Sequence, residues 1–141
     1  MATPENCKCH TSKINSEYTC PSAQDFFTDK TLALTGGTGF LGQGIVEKLL
    51  RCCPNIKKII LLMRTKKGAK PEERLKSLIQ LPVFDQLRET NPKFAEKLSF
   101  VSGDLEAEDL GLDQKSRRLL QNEVHFFIHS AACLKFNEHL R

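Results

Sequence analysis

At 141 residues, with 40% hydrophobic and 27% charged side chains, the chain has the size and make-up of one globular unit, which excludes wholesale disorder. Its 21 basic and 17 acidic side chains give a formal charge of +4, enough to favour an anionic ligand without implying nucleic acid. The longest apolar run, residues 59–63, is too short for a membrane span or a secretory signal, so the chain reads as soluble and cytosol-facing.

Residues 1–28 read as a flexible polar leader, rich in Asn, Ser, Thr and Lys and without apolar periodicity. Cys7, Cys9, His10 and Cys20 are the candidate metal ligands there. They lack the paired C-x-x-C knuckles of a structural zinc site, and a loosely packed tail is the expectation. No residue here points to an oxidising compartment, so the six cysteines are read as thiols. Asp25, Phe26 and Phe27 are placed to dock the leader on the unit at residues 29–141.

Residues 31–35 are apolar and strand-like, and a glycine-rich turn follows at once: Gly36, Gly37, Thr38, Gly39, Phe40, Leu41 and Gly42. Gly36, Gly39 and Gly42 stand in G-x-x-G-x-x-G spacing. The first allows a tight turn, the second lets backbone amides approach a pyrophosphate, and the third lets helix and strand pack closely. Leu41, Ile45, Val46, Leu49 and Leu50 then recur at helical spacing, predicting a helix over 40–51 whose N-terminus favours an anion. Strand, glycine turn and helix together predict a dinucleotide site.

Pro54 ends that helix, and Cys52 and Cys53 are expected to pack its last turn. A strand over 56–63 follows, almost wholly apolar, as a parallel strand buried on both faces would be. Arg64, Lys66, Lys67 and Lys70 come directly after it, at the position that faces the adenosine ribose in a dinucleotide fold. An acid there would accept from a free 2′-hydroxyl. The sequence instead offers a guanidinium fork with lysines around it, which favours NADP(H) over NAD(H), the alternative being a solvated basic loop. Arg64 lies 28 positions after Gly36, somewhat late, and residues 52–57 can absorb the difference.

Residues 71–98 predict two or three short helices, with Pro71 and Pro92 as first-turn residues and Pro82 as a break, forming a lid or a packing segment. A third strand is expected over 98–103, followed by Asp104 and Leu105 on the rim. There the Asp104 carboxylate either accepts from an adenine amino group or forms a turn. Asp113 reads as the N-cap of a helix to about residue 122, and a fourth strand as 124–129. Ser130, Ala131 and Ala132 keep the backbone slim beside a cofactor. His125 and His129 are about 13 Å apart along a strand, too far to share one ion, so no metal site is assigned. The expected fold is therefore α/β, a Rossmann-type three-layer arrangement around a parallel sheet in strand order 3-2-1-4, with the apolar fourth strand at an edge.

Residues 35–42 with Glu47, Lys48, Leu49 and Leu50, then 61–64 with Lys67, Gly68, Glu73, Arg74 and Leu75, resemble the N-terminal part of the fatty acyl-CoA reductases. Gly103, Asp104, Leu105, Leu110, Gly111 and Leu112 agree, as do residues 129–132 with Phe136, Glu138 and Leu140. The glycine motif is shared by all extended short-chain dehydrogenases, and the block from Arg64 to Leu75 discriminates. The resemblance implies reduction of a long-chain fatty acyl-CoA to a primary alcohol by NADPH, and a full-length protein at a peroxisomal or endoplasmic reticulum membrane, held by parts outside this chain. It also implies a catalytic Tyr-x-x-x-Lys after the nucleotide motif. The single tyrosine, Tyr18, precedes that motif and is followed at position 22 by Ser, so no catalytic residue is assigned and the chain is expected to be a cofactor-binding fragment. Another extended dehydrogenase, a thioester reductase and a non-catalytic nucleotide-binding module are the competing readings.

Overall fold

The structure is a computed structural model that describes residues 22–64 and 71–132. Four strands, β1 (Thr31–Thr35), β2 (Lys58–Met63), β3 (Leu98–Ser102) and β4 (Phe126–His129), form an all-parallel sheet in the order β3-β2-β1-β4. Leu32 stands opposite Ile59 on one side and Phe126 on the other, which aligns the carboxyl ends of β1, β2 and β4 along one rim. This is the expected strand order.

Alternation along the strands divides the core between two layers. Leu32 and Leu34 of β1 and Ile59, Leu61 and Met63 of β2 face one layer, where they pack with Val46 and Leu50 of α2 (Phe40–Cys52). Gly42, Val46 and Leu50 recur every fourth residue, so a single stripe of α2 is buried on the sheet. Ile60, Leu62 and Val101 face the other layer, against Leu119 and Leu120 of α5 (Gln114–Glu123). All five residues of β1 are buried, as the continuous apolar run requires of a strand covered on both faces.

The crossing from β2 to β3 is a packing segment. It holds α3 (Pro71–Ile79), α4 (Asp85–Thr90) and the 3-10 turns Pro82–Phe84 and Pro92–Lys97. From these Leu78, Phe84, Leu87 and Phe94 enter the larger core, and the Phe84 and Phe94 rings stack with centroids 5.7 Å apart. Arg88 donates to the carbonyls of Ile79 (2.6 Å) and Leu81 (3.2 Å), satisfying groups left open where Pro82 interrupts the helix.

Residues 23–27, within the stretch read as leader, form the short helix α1 (Ala23–Phe27), opened by a capping box between Ser22 and Asp25. Phe26 lies 4.6 Å from Phe126 of β4, the docking expected of residues 25–27. Two strand starts differ from expectation. Strand β2 begins at Lys58 because Ile56 is taken up in an antiparallel bridge with Thr28. Strand β4 begins at Phe126 because the Val124 amide closes the last turn of α5 on Leu120. Among the described residues no helix is long and apolar enough to cross a membrane. Cys7, Cys9, His10, Cys20, Lys67, Phe136, Glu138 and Leu140 lie outside the described residues.

Candidate functional site

The site forms where β1 ends. Gly36 takes φ +69°, a left-handed value that side-chain-bearing residues seldom adopt, and turns the chain toward α2. It also has no room for a side chain: a Cβ there would lie 2.6 Å from the Ala131 amide nitrogen and 2.8 Å from the Ser130 carbonyl carbon. The glycine turn and the segment after β4 are therefore in direct backbone contact. The Gly39 amide donates to the Gly36 carbonyl (2.9 Å) and closes the turn, while a Cβ on Gly37 would meet the Leu61 side chain at 2.7 Å.

Helix α2 opens at the N-cap Gly39, which supplies no side-chain cap to the first-turn amides of Phe40, Leu41 and Gly42. Among the described residues only the Gly36 carbonyl oxygen stands close to Gly39, 3.2 Å from where a Cβ would be, and Gly39 is exposed. Gly42 is the closely packed one: its Cβ would meet Gly36 and lie 2.7 Å from the Gly37 Cα. Of the three glycines, Gly36 turns the chain, Gly39 is exposed and Gly42 packs the helix against the turn. Phe40 is 96% exposed at the mouth of this turn, with Leu41 beside it.

Across the rim, Thr35 joins β1 to the end of β4. Its buried hydroxyl accepts from the Ala131 amide (3.3 Å) and lies 2.8 Å from Nδ1 of His129. The Ser130 amide donates to the Thr35 carbonyl (3.3 Å), but the Ser130 hydroxyl is buried without a partner among the described residues. A buried hydroxyl with an unused bond beside a side-chain-free turn and uncapped helix amides suits a polyanionic nucleotide. Ala132 continues this segment at the surface.

Arg64 follows β2 directly and is exposed. Its carbonyl accepts from Nη1 of Arg74 on α3 (2.6 Å), and Nη2 of the same guanidinium donates to the Thr38 hydroxyl (3.3 Å). Arg74 thereby connects the ends of two neighbouring βα units. Its place in the sequence, within the block from Arg64 to Leu75, does not disclose this connection. Asp104 follows Gly103 at the end of β3, where its Oδ1 accepts from the Glu106 amide (3.1 Å) in a turn that includes Leu105. At the far end of α2 the Cys53 thiol is pushed up from its ordinary value by burial, which keeps it protonated as a packing group.

A family model described as "Male sterility protein", an NAD-binding domain, matches residues 34–141. Fatty acyl-CoA reductase 1 of Mus musculus and of Homo sapiens are each 37% identical over 120 residues, which is 85% of this chain and 23% of theirs. Fatty acyl-CoA reductase wat of Drosophila melanogaster is 41% identical over 118 residues, 84% of this chain and 23% of its own. The chain thus spans about a quarter of the length of the curated relatives it matches. Among solved structures, the reductase domain of a non-ribosomal peptide synthetase from Mycobacterium tuberculosis superposes with a TM-score of 0.60 and 33% identity, over 74% of this chain and 24% of that one. The terminal R domain of the myxalamid pathway gives 0.59 and 28%, over 77% and 26%.

Proposed function

The chain belongs to the fatty acyl-CoA reductase family, and on that premise we propose that its rim crevice holds NADPH for the reduction of a long-chain acyl-CoA to a primary alcohol. The observation that carries this reading is the contact of Gly36 with Ser130 and Ala131 beside the uncapped start of α2. That arrangement leaves a side-chain-free cradle in which the amides of Phe40, Leu41 and Gly42 would take the pyrophosphate. Gly37 and Thr38 shape the turn, and the Ser130 hydroxyl, with Ala131 and Ala132, would border the rest of the cofactor.

Arg64, with Lys67 nearby in sequence, would read the 2′-phosphate, since residues 64–70 include no acid to accept from a ribose hydroxyl. Asp104 and Leu105 would flank the adenine. NADPH, when bound, supplies the hydride to the carbonyl carbon. No residue of this chain is assigned the proton transfer, because the only tyrosine, Tyr18, is not followed four positions later by a lysine. The acyl-CoA substrate and any membrane association belong to this reading of the whole protein, in which neither nucleic acid nor a metal has a part.

Titrating the chain with NADPH and with NADH and following nicotinamide fluorescence tests the proposal; the absence of tryptophan leaves a clean background. Saturable binding with NADPH preferred is the expected result. Absence of binding to either coenzyme overturns the cofactor assignment, and equal affinity for both overturns the 2′-phosphate reading.

A further inference from the structure

We propose that the outward face of α2 is a self-association surface, on which a second copy of this chain packs antiparallel about a two-fold axis through Gly44. This inference does not rest on the coenzyme reading of the crevice. Phe40, Gly44 and Lys48 stand four residues apart, so they form one row along α2, and all three are exposed. Phe40 is 96% exposed and Leu41 beside it 63%, the highest values among the large apolar side chains described. Ile45, Leu49, Val83 and Ile128 continue from this row as the lining of an open apolar groove of about 550 Å³.

Gly44 is the notch in this row. Glycine weakens a helix relative to alanine, so its place inside one calls for a reason. Gly42 has such a reason in its packing on the turn, but a Cβ on Gly44 would meet nothing within 4 Å among the described residues. What a bare position on a helix surface permits is the close approach of another backbone. The apolar side chains around it give the chemistry of the approaching surface, since an exposed apolar patch of this kind marks a contact face.

A second copy fits because one row carries both halves of the contact, a projecting ring at Phe40 and a hollow at Gly44. When two copies of α2 cross antiparallel at Gly44, a residue before it faces the residue equally far after it in the other copy. Phe40 of each copy then enters the groove of the other beneath Lys48, whose ammonium is attracted to the face of the ring. Lys48 is available for this: its neighbour Glu47 is held by Arg51 (2.6 Å), and no ion pair engages Lys48 among the described residues. A parallel pair would instead set Lys48 against Lys48. The antiparallel contact uses the same patch on both copies and closes on itself, so it yields a dimer and no longer assembly. A single helix crossing is a small interface, and the dimer is accordingly a weak one.

Sedimentation equilibrium of the chain from about 1 to 200 μM tests this, and a monomer–dimer equilibrium in the tens of micromolar is the expected result. Gly44→Ala places a methyl group from each copy at the crossing and should weaken the dimer about tenfold while the monomer stays folded in thermal unfolding. The register is tested by a charge exchange. Phe40→Lys sets an amine against Lys48 of the second copy and should abolish association, and adding Lys48→Glu should restore it to within about threefold of the unmodified chain. Within one helix these two positions are about 12 Å apart, so the rescue arises only across the interface. Monomer at every concentration overturns the proposal and leaves the groove to a different occupant. Open-ended oligomers, undiminished association of Gly44→Ala, or failure of Lys48→Glu to rescue Phe40→Lys would each overturn the two-fold contact. Coenzyme titration of the same samples reads the crevice separately, so either reading can fail without the other.

Discussion

Gly42 on the first turn of α2 packs directly against the Gly36 carbonyl, so that a Cβ added to it would meet Gly36 and lie 2.7 Å from the Gly37 Cα. Two residues further along the same helix, a Cβ on Gly44 would meet nothing within 4 Å. The same substitution should therefore have opposite signs. Gly42→Ala pushes the helix off the turn and should destabilise by about 1–3 kcal/mol, as overpacking does, with loss of NADPH binding. Gly44→Ala reduces the backbone entropy lost on folding and should stabilise by about 0.5–1 kcal/mol. Urea unfolding of the pair is the measurement; equal effects would mean that α2 does not seat on the turn as described.

Arg64→Asp should reverse coenzyme preference. It replaces a donor fork at the end of β2 with a carboxylate that repels a 2′-phosphate and accepts from a 2′-hydroxyl. Losing a charge-assisted bond is worth about 1.5–3 kcal/mol, or roughly 10- to 150-fold in NADPH affinity, while NADH should hold or improve. Fluorescence titration with both coenzymes reads the ratio, and a parallel fall for the two would take the 2′-phosphate away from Arg64.

The parts of this fold that were legible in the sequence are those whose causes are local. Strand β1, the turn and α2 follow from an apolar run, three glycines and an apolar stripe at helical spacing, all within residues 31–52, and the strand order follows from the dinucleotide-binding fold that this pattern indicates. The starts of β2 and β4 were less legible because backbone groups of Ile56 and Val124 are claimed by partners that apolarity does not reveal, a bridge to Thr28 and the cap of α5. Asp104 allowed two readings because one carboxylate suits a ligand or a turn equally well, and its bond to the Glu106 amide depends on how the chain bends there. Arg74 was invisible for a different reason. Its acceptors stand 10 and 36 positions away, and only the tertiary arrangement brings them to one guanidinium.

Phe84→Ala should behave as a core mutation although it lies in the crossing between β2 and β3. The ring is fully buried and stacked on Phe94 at 5.7 Å, so truncation leaves a cavity and removes the stacking partner. A loss of about 3–5 kcal/mol is expected from denaturant unfolding. A loss below about 1 kcal/mol would identify the crossing as a loosely attached lid.

Asp113→Ala should lower thermal stability in a pH-dependent way. The Asp113 carboxylate caps α5, accepting from the Ser116 amide at 2.7 Å, and that backbone hydrogen bond holds its carboxyl below the usual range. A group depressed in the folded state contributes stability above its unfolded value, about 3.9, and loses it as the pH falls through the folded value. The gap in melting temperature between wild type and Asp113→Ala should thus be full at neutral pH and close on acidification. A gap that stays constant into strong acid would mean that the cap does not depend on the charged form.

Thr35→Val should loosen the junction between β1 and the segment after β4. The two side chains have nearly the same shape, but valine can neither accept from the Ala131 amide nor bond to Nδ1 of His129, both of which rely on the buried Thr35 hydroxyl. Each group left without its partner carries a desolvation penalty of about 1–3 kcal/mol where water does not replace it. Because Ala131 also forms the wall against which Gly36 turns, the loss should appear as weaker NADPH binding as well as a lower melting temperature. Thr35→Ser, which restores the hydroxyl without the methyl group, should recover most of the binding and only part of the stability. If valine and serine variants bind NADPH equally well, the hydroxyl contributes nothing to the crevice, and the alignment of Gly36 with Ala131 comes from the strand ladder alone.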